Sequence, residues 1–293
     1  MKRKRIENPT RFQDFMSMTK PSITGMCVLM AGGGYWLAPG LLDIFELFYL
    51  LIGTTLIVAG SCVLNMYFER HHDKKMARTS HRPLPSGRIE PKDALMFALF
   101  CSLSGFLILG LLLNWLTAFL GAAALVSYVF VYTPMKRRSW TALLIGTIPG
   151  AMPPLMGWTA FTGQIQWPGV VLFLMMVVWQ IPHFIALSLM LKNDYEKAGI
   201  KTLPASHGDW VAKLQALGYT LVLLPLSLAL VPMRMAGLLY FCVALALGVW
   251  FAFVALKGVI APSRGRLSHQ LFFASLIYLP VLSLGLVVDL LVL

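Results

Sequence analysis

Followed residue by residue, the chain alternates between long apolar runs and short polar breaks. Nine runs stand out, near residues 22–40, 46–66, 93–113, 115–133, 141–161, 168–191, 214–232, 236–256 and 268–291. Each is close to the ~20 apolar residues that a helix needs to cross a hydrocarbon core roughly 30 Å thick. Lipid offers no partner to a backbone N–H or C=O, so only helices and closed barrels can span it. The runs are too long and too continuously apolar for the alternating strands of a barrel. The pattern predicts an all-α polytopic membrane protein with nine transmembrane helices. The Gly and Pro inside several runs are tolerated in membrane bundles. No signal peptide is read ahead of the first run: MKRKR opens a polar or mixed segment, residues 1–21, that leads straight into it.

Charge sharpens this picture. Only 12% of the 293 residues are charged, half of the roughly one quarter usual in soluble chains. With nine spans, the N-terminal segment and the loops 67–92, 134–140, 192–213 and 257–267 share one side of the membrane. Every one of the 24 Lys and Arg residues except Arg234 falls there, which makes that side the cytoplasmic one. The expected setting is the cell membrane, with the N-terminus in the cytoplasm. The net charge of +12 follows from this asymmetry and from anionic lipid headgroups, without a nucleic-acid partner. The four cysteines (Cys27, Cys62, Cys101 and Cys242) fall within spans, with no C-x-x-C and no metal-ligand spacing. They read as small core residues.

With the opposite loops short and bare, chemistry is expected at the cytoplasmic helix ends. NMYFERHHDKKMARTSHRPLPSG (65–87) leaves the second run there. Asn65, Glu69 and Asp73 recur at i, i+4 and i+8, one stripe of a helix. An amide and two carboxylates are hard oxygen donors, and Mg²⁺ usually takes one or two carboxylates together with waters and substrate phosphates. The plain alternative is a solvated helix end whose acids pair with Arg70, Lys74 or Lys75. Arg78, Arg82 and Arg88 follow, and Pro83 and Pro85 stop the helix. Guanidinium groups give bidentate donors to a diphosphate, although Arg88 also fits as an ordinary cytoplasmic-side arginine.

A second loop, LKNDYEKAGIKTLP (191–204), repeats the theme after the sixth run, with Asn193, Asp194, Lys197 and Lys201. Its equivalent position suggests a duplicated architecture. One transmembrane domain over 1–293 would hold two pseudo-repeated halves, roughly 22–135 and 140–255, plus a last helix. An acidic loop from each half would then clamp metal around one diphosphate. Tyr132 and Lys136 stand i, i+4 in YTPMKRR, with Arg137 and Arg138 following at the same surface. Lys20 precedes Pro21, which suits the first turn of a helix. Each of these cations also fits as a topology anchor. His183, in WQIPHFIAL, lies inside a span, where an ionisable residue is expensive and marks a functional candidate. It also fits as a core histidine bonded to a neighbouring helix.

These blocks resemble a known family. Asn-x-x-x-(Asp/Glu)-x-x-x-Asp at the end of the second run is similar to the first aspartate-rich motif of the UbiA superfamily of intramembrane prenyltransferases. More narrowly, DKKMARTSHRPLPSGRI, YTPMKRR, IGTIPGAMPPLMGW, WQIPHFIALSL and DYEKAGIKTLP resemble, in order, the protoheme IX farnesyltransferase (haem O synthase) family. The resemblance implies nine helices, and transfer of farnesyl from farnesyl diphosphate to a vinyl group of haem b with Mg²⁺ as cofactor. It implies metal and diphosphate roles for Asn65, Glu69, Asp73 and Asp194, and diphosphate contacts for Lys20, Arg78, Arg82, Lys136 and Arg137. It leaves His183 and Tyr132 as haem contacts, and haem A synthase or a terminal-oxidase assembly partner as recipients of the product. Glu69 stands where Asp is common in the superfamily. Met190 and Ala198 flank Asp194 where a second aspartate is usual, so a complete second metal site does not carry over.

Two rivals remain at this stage. A UbiA-type aromatic prenyltransferase of quinone biosynthesis would share the diphosphate site. A duplicated-bundle transporter would need ionisable residues at the membrane midplane, whereas these charges gather at one surface.

Overall fold

The computed structural model describes residues 9–76, 79–197, 199–260 and 265–292. Arg78, Ala198 and the basic MKRKR start lie outside them. In chain order the helices are α1 (Arg11–Met18), α2 (Pro21–Trp36), α3 (Ile44–Asp73), α4 (Pro91–Leu112) and α5 (Trp115–Val126). A π-helical turn (Ser127–Tyr132) and α6 (Thr133–Met135) continue α5. There follow α7 (Ala142–Thr162), α8 (Trp167–Met190), α9 (Lys192–Lys197), α10 (Leu203–His207), α11 (Asp209–Leu228), α12 (Leu238–Ile260) and α13 (Gly265–Val292). All secondary structure among the described residues is helical, as expected for an all-α membrane protein.

Among the described residues, seven helices are long and apolar enough to cross a membrane. The remaining two expected spans, 22–40 and 141–161, are also helical but differ for physical reasons. Helix α2 has 16 residues, about 24 Å at 1.5 Å per residue, short of a full hydrocarbon core. Helix α7 is long enough, but Pro149, Pro153 and Pro154 lie inside it and dilute its apolar character. Many large apolar side chains point outward, among them Phe100, Leu111, Leu221, Phe253 and Leu284. Such faces are ordinary only where lipid is the solvent.

The chain divides into two compact units. The first holds residues 1–129 and 156–164. Here α3 packs against α1, α2, α4 and α5, and its start is fixed by Asp43, whose carboxylate accepts from the N–H groups of Phe45 and Glu46. Backbones approach closely: a Cβ on Gly105 would lie 2.8 Å from the Gly53 carbonyl oxygen. Thus small residues let α3 and α4 meet as membrane helices do. Its buried cluster joins Met18, Val63, Met66, Leu84, Ile89 and Val129. That cluster draws the loop after α3 onto the helices.

The second unit holds residues 130–155 and 165–293. Helix α8 packs against α11 and α13, and α12 bridges those two. Buried polar groups there are paired. Tyr240 donates its hydroxyl to the Ser227 carbonyl oxygen at 2.9 Å, and Asp289 accepts from the N–H groups of Gly237 and Tyr240, capping the start of α12.

Candidate active site

At the end of α3, Asn65, Glu69 and Asp73 share one stripe, and that stripe is turned inward: the residues are 3%, 6% and 2% exposed. His71 and His72, next to them in sequence, face outward. The acids at this helix end are therefore buried rather than solvated. Arg70 instead donates to the Tyr67 carbonyl oxygen at 2.7 Å and lies over the Tyr67 ring at 4.3 Å. The partner of Asp73 is Arg82, with Nη1 2.7 Å from Oδ2.

Tight turns bring Arg82 back to this position. The Thr79 hydroxyl donates to the Asp73 carbonyl oxygen at 2.9 Å, and the Arg82 N–H donates to the Thr79 carbonyl oxygen at 3.0 Å. Leu84 and Ile89 anchor the loop in the core, each contributing about 1.5–3 kcal/mol by burial. Arg88 then ties it to α1. Its Nε and Nη2 each reach the Asp14 carboxylate at 2.9 Å, and its Nη1 reaches the His81 carbonyl oxygen and the Ser86 hydroxyl. The hydrogen bond to Asp14 raises the Arg88 pKa above its ordinary value. Arg88 is a clamp between helix and loop, where the sequence offered either a diphosphate donor or an ordinary cytoplasmic-side arginine.

Lys20 closes the stripe from the other side. Its Nζ donates to Asn65 Oδ1 at 3.2 Å. It caps α2 at φ 50°, ψ 67°, a left-handed conformation rare for residues other than Gly, Asn or Asp. Pro21 bars the ordinary right-handed alternative, and such strain gathers at functional sites. Tyr128 was missed by sequence reasoning. It sits in the π turn, close enough to Glu69 and Arg82 to feel their charges. π turns are frequent at functional sites, but an i→i+5 register leaves no mark on an apolar run.

The stripe suits a hard divalent cation. No group of three or more His, Cys, Asp or Glu side chains gathers at metal-binding range among the described residues. Two carboxylates and an amide are instead the small donor set that Mg²⁺ accepts when phosphate and water complete its shell. Formally, Glu69 and Asp73 balance Lys20 and Arg82. A polyanionic diphosphate entering there would need further positive charge.

The other predicted residues belong to the second unit. Asp194 stands exposed in the first turn of α9. Lys136 and Arg137 are half-buried in the turn after α6, with Lys136 Nζ 6.0 Å from the Tyr132 ring centroid. The Lys201 N–H donates to the Lys136 carbonyl oxygen at 3.2 Å, joining the 134–138 and 192–202 segments. Tyr132 rests against Gly146, where a Cβ would meet its ring at 2.7 Å. His183 lies deeper, on α8. Its Nδ1 is 2.8 Å from Ser275 Oγ, and its ring stacks on Trp179 and Phe272.

Known proteins resemble this chain in sequence and in fold. The model of the UbiA prenyltransferase family matches residues 26–277. A Myxococcus xanthus protein named protoheme IX farnesyltransferase is 42% identical over 281 residues, 96% of each chain. In fold, the chain is similar to a solved digeranylgeranylglyceryl phosphate synthase (TM-score 0.84, 17% identity, 96% of this chain and 99% of that one). It is also similar to a UbiA homologue from Archaeoglobus fulgidus bound to GPP and Mg²⁺ (TM-score 0.68, 14% identity, 94% and 99%).

Proposed function

Because the chain belongs to the UbiA prenyltransferase family, we propose that it transfers the farnesyl group of farnesyl diphosphate to a vinyl group of haem b, yielding haem O. The observation that carries this reading is the buried Asn65–Glu69–Asp73 stripe closed by Lys20 and Arg82. The substrate pair is carried over from the name of the Myxococcus relative. We place nine spans in the cell membrane, counting α2 and α7, with the N-terminus and the stripe on the cytoplasmic side where Lys and Arg concentrate. The whole chain acts as one prenyltransferase domain.

Asn65, Glu69 and Asp73 would hold Mg²⁺, with Asp194 assigned the same role from the second acidic loop. Bound there, Mg²⁺ would offset the charge of the leaving diphosphate. Arg82 and Lys20 supply donors fixed in advance, which favour the departing oxygens without reorganisation. Arg78, Lys136 and Arg137 are assigned to the same diphosphate. The C–O bond of farnesyl diphosphate breaks, its electron pair leaves with diphosphate, and an allylic cation remains. Apolar helix surfaces keep water from that cation. The terminal vinyl carbon of haem gives its π electrons to the farnesyl C1. Water adds to the new cation beside the porphyrin ring and releases one proton. No protein base is obligatory, which matches a site of oxygen donors and cations. Tyr132 and His183 are assigned to the haem.

Pyridine-haemochrome spectra of membranes from cells with and without the protein test this reading. Haem O should appear only with it. Unchanged haem together with a prenylated benzoate or naphthoate would instead identify an aromatic prenyltransferase.

A further inference from the structure

Among the described residues His183 makes one hydrogen bond, through Nδ1 to Ser275 Oγ at 2.8 Å. A serine hydroxyl carries a single proton, and Ser275 directs its own to the Phe272 carbonyl oxygen at 2.6 Å. That carbonyl oxygen can only accept. Were Ser275 to donate to His183 instead, two oxygens would face each other at hydrogen-bond distance with no proton between them. Ser275 Oγ therefore accepts, and Nδ1 of His183 is the protonated nitrogen. This assigns the imidazole tautomer from the bond network. Nε2 is left with its lone pair and no protein partner among the described residues.

A histidine retained only for packing would satisfy both nitrogens. Nε2 of His183 is also not sealed off. Thr54 Oγ1 is the one fully enclosed side-chain polar atom without a partner among the described residues. The ring is held in orientation as well as in tautomer. Trp179 stacks on it at 5.2 Å and 19°, Phe272 at 4.9 Å and 29°, and Phe184 meets it edge-on at 5.5 Å. Trp179 Nε1 donates to the Ser275 carbonyl oxygen at 2.9 Å, locking Trp179 to the serine that fixes the tautomer. An imidazole with one N–H held by an oxygen acceptor and an open lone pair on the other nitrogen is the arrangement found at metal-ligating histidines. Flat aromatic neighbours suit a large planar ligand lying across the imidazole edge.

We propose that His183 Nε2 is the axial ligand to the iron of the porphyrin substrate, and that Ser275 is the residue that positions it. This rests on the haem reading given above. An axial bond would hold the macrocycle at a fixed depth, seven residues or about 10 Å inside the end of α8 at Met190. The hydrogen bond from Nδ1–H to Ser275 raises the basicity of the ligand. A stronger donor gives the iron and ring more electron density, which suits a vinyl group that must act as the nucleophile.

The test uses full-length protein in nanodiscs, haem b and resonance Raman spectra of the ferrous complex, with ¹⁵N-histidine to identify an iron–histidine band. The wild type should show the band, and His183→Gln should lose it together with most haem affinity. Ser275→Ala should keep the band but shift it toward a weaker bond, with about ten-fold weaker haem binding. If His183→Gln does not fold, the Ser275→Ala shift decides. An absent band in wild-type protein that binds haem and makes haem O overturns the proposal, as does a band unmoved by either variant. Wild-type protein that neither binds haem nor makes haem O would overturn the haem reading itself.

Discussion

Asp73→Asn separates chemistry from architecture at the proposed site. The side chain is 2% exposed, with Oδ2 2.7 Å from Arg82 Nη1. An amide oxygen can still accept from Arg82, so a hydrogen-bonded ion pair becomes a hydrogen bond from a cation to a neutral amide, at a stability cost of about 1 kcal/mol. The fold should survive. The effect on turnover should be much larger, because one of two carboxylates on the stripe is gone. Removing a single preorganised group from an ionising site typically costs about 10²–10³ in rate, and 10² corresponds to ~2.7 kcal/mol in the barrier. The assay is the initial rate of haem O formation by the purified protein across a Mg²⁺ titration, with thermal unfolding measured in parallel. We expect a loss of at least about 100-fold, a higher half-saturating Mg²⁺ concentration and a small change in unfolding temperature. A rate within a few-fold of wild type at every Mg²⁺ concentration would refute the assignment. A loss that tracks unfolding alone, with the Mg²⁺ dependence unmoved, would make Asp73 structural.

Three further outcomes follow from the same geometry. EDTA should abolish haem O formation and added Mg²⁺ should restore it; activity that resists EDTA would count against metal-assisted ionisation. Arg88→Met strands the Asp14 carboxylate, 4% exposed, without its bidentate partner. With Arg88 itself partly solvated, we expect a loss of about 1.5–3 kcal/mol and faster proteolysis within 79–90, whereas an unchanged cleavage pattern would show that the clamp is idle. Gly157→Ala would set a Cβ 1.9 Å from the Ala31 carbonyl oxygen, so helices α2 and α7 must part, at about 1–3 kcal/mol or more. Gly33→Ala meets nothing within 4 Å and should be neutral or slightly stabilising; equal unfolding temperatures for the two variants would contradict this packing.

What the sequence made legible was whatever repeats along one element. Apolar runs announced the membrane helices, and the spacing of Asn65, Glu69 and Asp73 already put them on one face. Arg82 was near enough in sequence, just ahead of a proline stop, to be expected beside them. Contacts that need chain closure were not legible. Asp14 and Arg88 are 74 residues apart, and His183 and Ser275 are 92 apart, so nothing local in either segment names its partner. The left-handed backbone at Lys20 was likewise hidden, although Pro21 was the available clue. Tyr128 looked like one more aromatic in an apolar run because a π turn alters facing without altering composition. Prolines in α7 and the shortness of α2 blurred the span count, since hydropathy averages over a window while a helix is set by its hydrogen bonds.

The most direct measurement is incubation of the purified protein with haem b, farnesyl diphosphate and Mg²⁺, followed by mass analysis of the extracted haem. The expected product is haem that has gained one farnesyl group and one hydroxyl, with diphosphate released in equal amount and neither formed by the Asp73→Asn variant at comparable rate. Unaltered haem b beside intact farnesyl diphosphate, from folded protein, would contradict the proposed transfer.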